Sequence, residues 1–194
     1  MNYKFLGVDI SSSNIGISYF ERCDNNLRLN DIFNIQLNTA LELYERFDEF
    51  EKINLDFDFA ILESSLKSFN QGFSNKNALL QINSANLICS YILFKNAKKI
   101  FKVHPLSYRS AAGFKKSNDN IKLLVLDFVI KNEIFQNYLI EKNILISNVF
   151  PQREITRGKN KGKLEYETGC YDKSDSFLIG YGGEIALKKK GEIK

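Results

Sequence analysis

The sequence predicts an α/β protein with a mixed five-stranded sheet flanked by helices. The first observation is a set of three strand-length runs between residues 3 and 37, separated by short polar turns, as in an antiparallel meander. The second is a pair of later apolar runs, at 57–63 and 99–105, each of which follows a helix-like segment. Strands that are connected through a helix usually lie parallel, so the two patterns together predict a mixed sheet.

The meander begins with "YKFLGVDI" (3–10) and "IGISYFERC" (15–23), two apolar runs joined by the polar turn "SSSN". "LRLNDIFNIQL" (27–37) alternates in polarity like a third antiparallel strand. Asp9 lies near the end of the first run, where an uncompensated buried charge would be costly. A carboxylate in that position should cap a turn, pair with a cation or bind a metal ion.

Apolar residues recur at helical spacing through much of the remaining chain. The segment 39–53 begins with Thr39, a common N-cap residue. It places Leu41, Tyr44, Phe47 and Phe50 or Glu51 at helical spacing. Further helices are predicted at 74–96, 120–135 and 171–190. The order of these elements is that of the ribonuclease H-like fold, in which the first strand is central.

The composition is that of an ordinary globular protein. The 194 residues, of which 44% are hydrophobic, suit a single domain over 1–194. Within it, 143–150 could be a helix end or a strand, and 151–169 is expected to be an inserted basic loop or hairpin. The three cysteines favour reduced thiols, and the sequence contains no signal peptide or transmembrane run. We therefore expect a cytoplasmic protein with no membrane partner.

The basic residues are concentrated in one stretch although the net charge is only +4. Residues 95–131 contain nine Lys or Arg against two Asp or Glu, whereas residues 1–65 contain five against twelve. Aromatic residues interleave the basic stretch, a combination that could neutralise phosphates and stack on bases. A solvated helix face would give the same pattern, and charge alone does not separate the two interpretations.

Four carboxylates stand at the ends of predicted elements. Asp9 and Glu63 each end an apolar strand, and Asp172 and Asp175 are spaced to share one face of the last helix. Singly, each could cap a turn or helix or end a strand in solvent. Jointly, they predict a cluster whose mutual repulsion calls for cations. Oxygen-only clusters suit two Mg²⁺ ions, or Mn²⁺ in their place, and such a pair of ions hydrolyses phosphodiesters.

Four stretches follow one another along the chain: "FLGVDISSSNIGISYF", "FAILESSLKSFNQG", "VHPLSYRSAAGFKKSNDNIKLL" and "YDKSDSFLIGYGG". In order, they resemble the motifs of RuvC-like Holliday junction resolvases of the ribonuclease H-like superfamily. Those motifs are a strand-end Asp, a strand-end Glu before a loop, a Pro leading into a Lys-containing turn and helix, and a last helix with two acids. The 109-residue spacing from Glu63 to Asp172 is long for the compact bacterial enzymes and indicates a divergent or phage-type member.

The resemblance implies a role for each motif. It implies that Asp9, Glu63, Asp172 and Asp175 are the catalytic ligands of two Mg²⁺ ions. It also implies that Lys115, Lys116 or Lys122 is the basic residue beside the scissile phosphate, and we take Lys122 as the catalytic one. It further implies a DNA-binding set in which Leu66 and Phe69 occupy the place of the junction-opening residue. This set is Leu66, Lys67, Phe69, Asn70, Arg109, Lys115, Lys116 and Lys122. The implied activity is metal-dependent cleavage of branched DNA, above all the resolution of four-way junctions by paired nicks.

Paired nicks also predict a homodimer, because one carboxylate cluster per chain supplies one nick. The helix at 74–96 is the expected interface, since its apolar residues cover more of the circumference than one sheet-facing stripe requires. These residues are Leu79, Leu80, Ile82, Leu87, Ile88, Ile92 and Leu93. A helix buried between the sheet and the 120–135 helix would show the same composition.

Other interpretations use the same sheet. A related nuclease could act on flaps or RNA–DNA hybrids, and a non-catalytic module could only bind nucleic acid. "DISSSNIG" also resembles the first phosphate loop of the actin-like ATPases, which normally duplicate the fold, whereas this sequence has no second Gly-rich phosphate loop. His104 is the only histidine, which excludes a Ser/His/Asp triad and a His-based zinc site.

Overall fold

The computed structural model describes residues 2–64, 76–96, 99–114 and 120–193. Its centre is a five-stranded sheet in the order β3-β2-β1-β4-β5. The strands are β1 Tyr3–Ile10, β2 Asn14–Cys23, β3 Asn26–Gln36, β4 Phe59–Glu63 and β5 Lys99–Val103. The first three form an antiparallel meander, while β4 and β5 run parallel to β1. This confirms the predicted mixed sheet with the first strand at its centre.

Residues of β1 alternate between two separate cores because successive side chains of a strand point to opposite faces. Phe5 belongs to the core beneath the C-terminal helix, and Leu6 belongs to the core beneath the helix that follows β4. We call these the α7 face and the α2 face of the sheet, after the helices Cys170–Lys189 (α7) and Lys76–Asn96 (α2). The helices are α1 Asp48–Glu51, α2 Lys76–Asn96, α3 Pro105–Ala111, α4 Ile121–Lys131, α5 Glu133–Lys142, α6 Ile146–Val149 and α7 Cys170–Lys189.

The helix predicted at 39–53 is wrong. Thr39 lies in a turn, and the helical part is limited to a 3₁₀ turn at Glu45–Phe47 followed by the four residues of α1. The guanidinium of Arg46 donates to the carbonyls of Leu41, Thr39 and Ser12, which holds the chain in turns. Of the four residues at helical spacing, Phe47 and Phe50 are buried while Leu41 and Tyr44 are exposed. A full helix would therefore have had only part of its apolar face covered.

The helix predicted at 120–135 is two helices rather than one. Asn132 ends α4 and also caps α5, since its Oδ1 accepts a hydrogen bond of 3.0 Å from the Ile134 backbone N–H. The last helix and the long helix after β4 are confirmed as α7 and α2. Over 143–150, where the sequence left two possibilities, the chain forms the short helix α6.

The segment after β5 contains a helix that the sequence did not predict. Pro105 occupies the first turn of α3, where its missing N–H costs nothing, and His104 caps the helix by accepting from the Leu106 N–H at 3.2 Å. The 151–169 segment is a hairpin of β6 Gln152–Glu154 and β7 Leu164–Tyr166. None of the helices in the described ranges is both long and apolar enough to cross a bilayer.

Candidate active site

Strand parity places the first two acids together. On β1, Phe5, Gly7 and Asp9 alternate onto the α7 face, and on β4 the same parity carries Glu63 to that face. The two strands are parallel and paired up to Val8 opposite Leu62. Asp9 and Glu63 follow that pair directly, so both lie at one end of adjacent central strands.

Helix α7 crosses this same end of the sheet at unusually short distance. A Cβ added to Gly16 would lie 2.0 Å from the backbone oxygen of Asp172, and one added to Gly7 would lie 2.3 Å from that of Ser176. Gly16 is the cross-strand partner of Asp9. Only glycine allows the helix backbone to approach so closely, and this approach brings the first turn of α7 beside Asp9.

The packing of α7 also fixes which face of the helix meets the sheet. Ser18 Oγ and Ser176 Oγ are joined by a buried hydrogen bond of 2.8 Å between β2 and α7. Asp172 and Asp175 lie three residues apart in the first two turns of α7, both partly buried. The helix is therefore held in the register that directs these carboxylates toward Asp9 and Glu63.

Electrostatic effects connect Asp9 with the other three carboxylates. Burial raises the pKa of Asp9 well above its usual range, and the charges of Asp175, Asp172 and Glu63 raise it further. Burial raises the pKa of Asp175 to about 7, with Glu63 and Asp172 adding to the effect. The pKa of Asp172 is also raised, chiefly by burial. Among the described residues, none donates a hydrogen bond to the Asp9 carboxylate.

Two cationic side chains oppose this shift. Lys122 lowers the pKa values of Asp9, Asp172 and Asp175, and its Nζ lies 5.7 Å from the ring centre of Tyr171. Arg109 is the larger of the two lowering influences on Asp175. Its Nε is buried with no hydrogen-bond partner among the described residues. The structure thus places Lys122 and Arg109 beside the acids; their roles in catalysis and DNA binding stay predictions.

Sequence reasoning missed Tyr108. Its hydroxyl donates a hydrogen bond of 2.7 Å to Glu63 Oε2, and its side chain is only 1% exposed. Burial raises the pKa of Tyr108, and the charge of Glu63 raises it further, so the phenol remains a donor at any physiological pH. The absence of a side chain at Gly182 makes room for α3, since a Cβ there would lie 2.2 Å from the Tyr108 carbonyl oxygen. Tyr108 therefore fixes one oxygen of Glu63.

The remaining predicted DNA-binding residues lie outside the described residues: Leu66, Lys67, Phe69, Asn70, Lys115 and Lys116.

The donor set suits a hard divalent cation, because it consists of carboxylate oxygens that repel one another. The fit is chemical rather than geometric. Within the described ranges, no three His, Cys, Asp or Glu side chains converge closely enough, as they stand, to hold a metal ion. Binding a cation would therefore require the carboxylates to rotate toward a common centre.

No protein-family model and no curated protein matches the sequence. Solved structures do resemble the fold. T. thermophilus RuvC in complex with Holliday junction substrate aligns with a TM-score of 0.58 at 10% identity, over 97% of this chain and 96% of that one. Fowlpox virus resolvase in complex with substrate Holliday junction DNA aligns with a TM-score of 0.52 at 16% identity, over 98% and 99%. The chain therefore has the fold of the RuvC-like Holliday junction resolvases, as its motifs predict.

Proposed function

We propose that this protein is a metal-dependent, structure-selective endonuclease that resolves four-way DNA junctions. The observation that carries the proposal is the meeting of Asp9, Glu63, Asp172 and Asp175 at one end of the sheet, where burial raises the pKa values of the three Asp residues and carboxylate repulsion raises those of Asp9 and Asp175 further. Carboxylates gathered from three separate elements, with perturbed pKa values on two of them, are typical of a catalytic centre. The fold shared with two resolvases whose structures include Holliday junction DNA supports the choice of substrate.

The four carboxylates would hold two Mg²⁺ ions, with Mn²⁺ as a substitute. Bound there, the ions would supply activation of the attacking water and stabilisation of the leaving oxygen of a phosphodiester. The chain's own residues prepare the site: Tyr108 orients Glu63 through its 2.7 Å hydrogen bond. Lys122 adds positive charge where the phosphate would lie, and Arg109 adds positive charge beside Asp175.

Two-fold symmetric nicking calls for two chains, and α2 offers a surface for the second copy. Leu79, Ile92 and Leu93 are buried against the sheet. The opposite side of α2 carries an exposed apolar stripe at helical spacing: Leu80 at 66%, Leu87 at 71%, Tyr91 at 63% and Phe94 at 67% exposure. We propose that this stripe, the α2 stripe, forms the homodimer interface, because such a surface in contact with water is costly.

Cleavage of matched substrates tests the function. Purified protein is incubated with a four-way junction, a flap, a linear duplex and an RNA–DNA hybrid, each with Mg²⁺ and with excess EDTA. We expect symmetric nicks in the junction, with Mg²⁺ only. Preferential cutting of the flap or the hybrid would overturn the choice of substrate, and undiminished cutting in EDTA would overturn the metal mechanism.

Light scattering tests the proposed dimer and should give a mass of about 45 kDa, twice that of the 22.4 kDa chain. A monomer that persists on junction DNA would overturn the dimer.

A further inference from the structure

The β6–β7 hairpin is a regular structure although almost all of it is exposed. Three residue pairs join the strands, from Gln152 opposite Tyr166 to Glu154 opposite Leu164. The ladder continues beyond them, because the Ile155 N–H donates to the Lys163 carbonyl and the Gly162 N–H donates to the Ile155 carbonyl, both at 2.9 Å. The hairpin therefore extends past its assigned strands as a paired arm.

The base of the arm is fixed to the first turn of α7, which carries Asp172. The rings of Tyr166 and Tyr171 lie 6.4 Å apart, and Tyr166 packs against the core of the α7 face. The Cys170 thiol lies 3.6 Å from the Pro151 carbonyl. The ammonium of Lys173, itself buried, donates to the carbonyl of Val149 just before the arm. These contacts tie the arm to the helix that positions two of the acids.

The end of the arm carries only positive charge. Residues 155–164 contain four basic side chains and no acidic one: Arg157, Lys159, Lys161 and Lys163. All four are exposed, and within the described part of the chain none forms an ion pair. Nearer the base, by contrast, Arg153 pairs with Glu165 at 2.9 Å. Charge along the arm is thus neutralised at the base and left free at the end.

We propose that this basic end binds the phosphate backbone of a DNA arm beside the cut strand, and so helps to set the register of the DNA on the acids. The proposal rests on the proposed nuclease function and adds a second contact surface to it. DNA is the partner chosen because the base of the arm is tied to the helix whose acids are proposed to act on a phosphodiester, and the paired ladder carries the basic residues away from that base. From Gln152 to Arg157 the arm extends roughly 17 Å, at about 3.3 Å per residue. That reach corresponds to about five base pairs of duplex at ~3.4 Å each.

Salt-dependent binding tests the proposal. Junction affinity is measured in EDTA between 50 and 200 mM salt for the wild type and for Lys159→Gln/Lys161→Gln. The matched control is Lys52→Gln/Lys142→Gln, which removes the same charge from exposed positions elsewhere. We expect the arm variant to bind about tenfold more weakly and to reduce the log–log salt slope by about two, because each lost phosphate contact removes about 0.9. The control should keep the wild-type slope.

A shortened arm gives a second readout. Replacing residues 155–163 with Asn-Gly joins Glu154 to Leu164 through a two-residue turn and keeps the three-pair ladder. In a footprinting experiment on junction DNA, the shortened arm should no longer protect the DNA backbone about five base pairs from the cut. Protection of the backbone at the cut should be retained. If the wild type binds and cuts junctions, but the variants keep its footprint and its salt slope, the proposed role of the arm is overturned and the proposed function is not. A wild type that neither binds nor cuts junctions would overturn the proposed function as well.

Discussion

Both ends of α7 carry carboxylates, but at one end the carboxylates lie near other acids and at the other end the carboxylate is paired with cations and hydrogen-bond donors. At the first turns, Asp172 and Asp175 meet Asp9; burial raises the pKa of each, and carboxylate repulsion adds to it for Asp9 and Asp175. Near the last turn, Glu184 is 0% exposed and is surrounded by donors. We call these the acid end and the paired end of the helix.

At the paired end the carboxylate of Glu184 is matched by donors. Arg22 donates from Nε and Nη2 to the two oxygens of Glu184 at 2.9 and 2.8 Å. The Tyr3 hydroxyl donates at 2.7 Å, and Lys188 Nζ lies 3.0 Å away. Burial, followed by the contact with Glu184, raises the pKa of Tyr3, which keeps its hydroxyl a donor. A fork of this kind is the strongest arrangement that protein groups offer a carboxylate.

This contrast separates a buried acid that stabilises the fold from buried acids that are available to bind a ligand. The same sheet and helix could have supplied partners at both ends, yet only Glu184 received a bidentate guanidinium. At the acid end Lys122 lowers the pKa values of the three Asp residues, and Arg109 lowers that of Asp175. Evolution retains uncompensated charge chiefly where function uses it. We infer that the acid end is built to receive divalent cations.

The largest expected effect comes from neutralising an acid at this end. Asp9→Asn should reduce junction cleavage by about 10³-fold or more, because losing a ligand of the proposed two-ion site would remove several kcal/mol of transition-state stabilisation. Junction binding should stay equal or become tighter, since repulsion of the phosphate falls. Cleavage is followed on a labelled junction, with Glu184→Gln as the control from the paired end. A fully active Asp9→Asn enzyme would contradict the proposal that the acids of the acid end are needed for cleavage.

The next effect concerns stability at the paired end. Arg22→Met should lower the free energy of unfolding by about 3–5 kcal/mol, because it leaves a buried carboxylate without its main partner. The cleavage rate per folded molecule should be unchanged. Urea denaturation at pH 8 measures the loss. Adding Glu184→Gln to Arg22→Met should restore part of it, and a single variant within about 1 kcal/mol of wild type would show that the fork is not what stabilises this end.

A smaller effect is expected from the hydrogen bond that orients Glu63. Tyr108→Phe keeps the packing and removes the hydroxyl, so cleavage should slow about tenfold while junction affinity stays constant. Tyr138→Phe is the matched control, since its hydroxyl donates to Asp31 at 3.2 Å, away from the acids. Equal rates for the two variants would mean that Tyr108 only fills space.

The smallest expected effect is a pH dependence of stability. Asp175 has a pKa of about 7 in the folded chain, against an ordinary value of 3.8. Between these values the folded state binds the proton and the unfolded state does not, so stability without metal falls as pH rises from about 4 to 7. The loss should be at most about 1.4 kcal/mol for each pH unit, because one proton is released over this range. Asp175→Asn should flatten the profile measured by urea denaturation in EDTA; a wild-type profile that rises over this range would contradict the shift.

The sequence predicted the acid end better than the paired end, for a physical reason. Asp9 and Glu63 are charged residues at the ends of apolar strands, so the neighbouring sequence alone marks them as unusual. Glu184 and Arg22 are 162 residues apart, and nothing local marks either as a partner of the other. Tyr108 escaped notice in the same way, because its partner Glu63 is 45 residues distant. The helix predicted at 39–53 was wrong since periodicity cannot show that Arg46 binds the carbonyls of its neighbours.

Thermal unfolding with and without divalent cation tests the central claim most directly. Wild type, Asp9→Asn and Glu184→Gln are melted at pH 8 in EDTA and in 10 mM Mg²⁺ or Mn²⁺, without DNA. For a site of roughly millimolar affinity, the cation should stabilise wild type by about 1.4 kcal/mol, and Glu184→Gln should gain as much. Asp9→Asn should gain little. A wild-type melting temperature that does not respond to either cation, or an equal response from Asp9→Asn, would contradict the account.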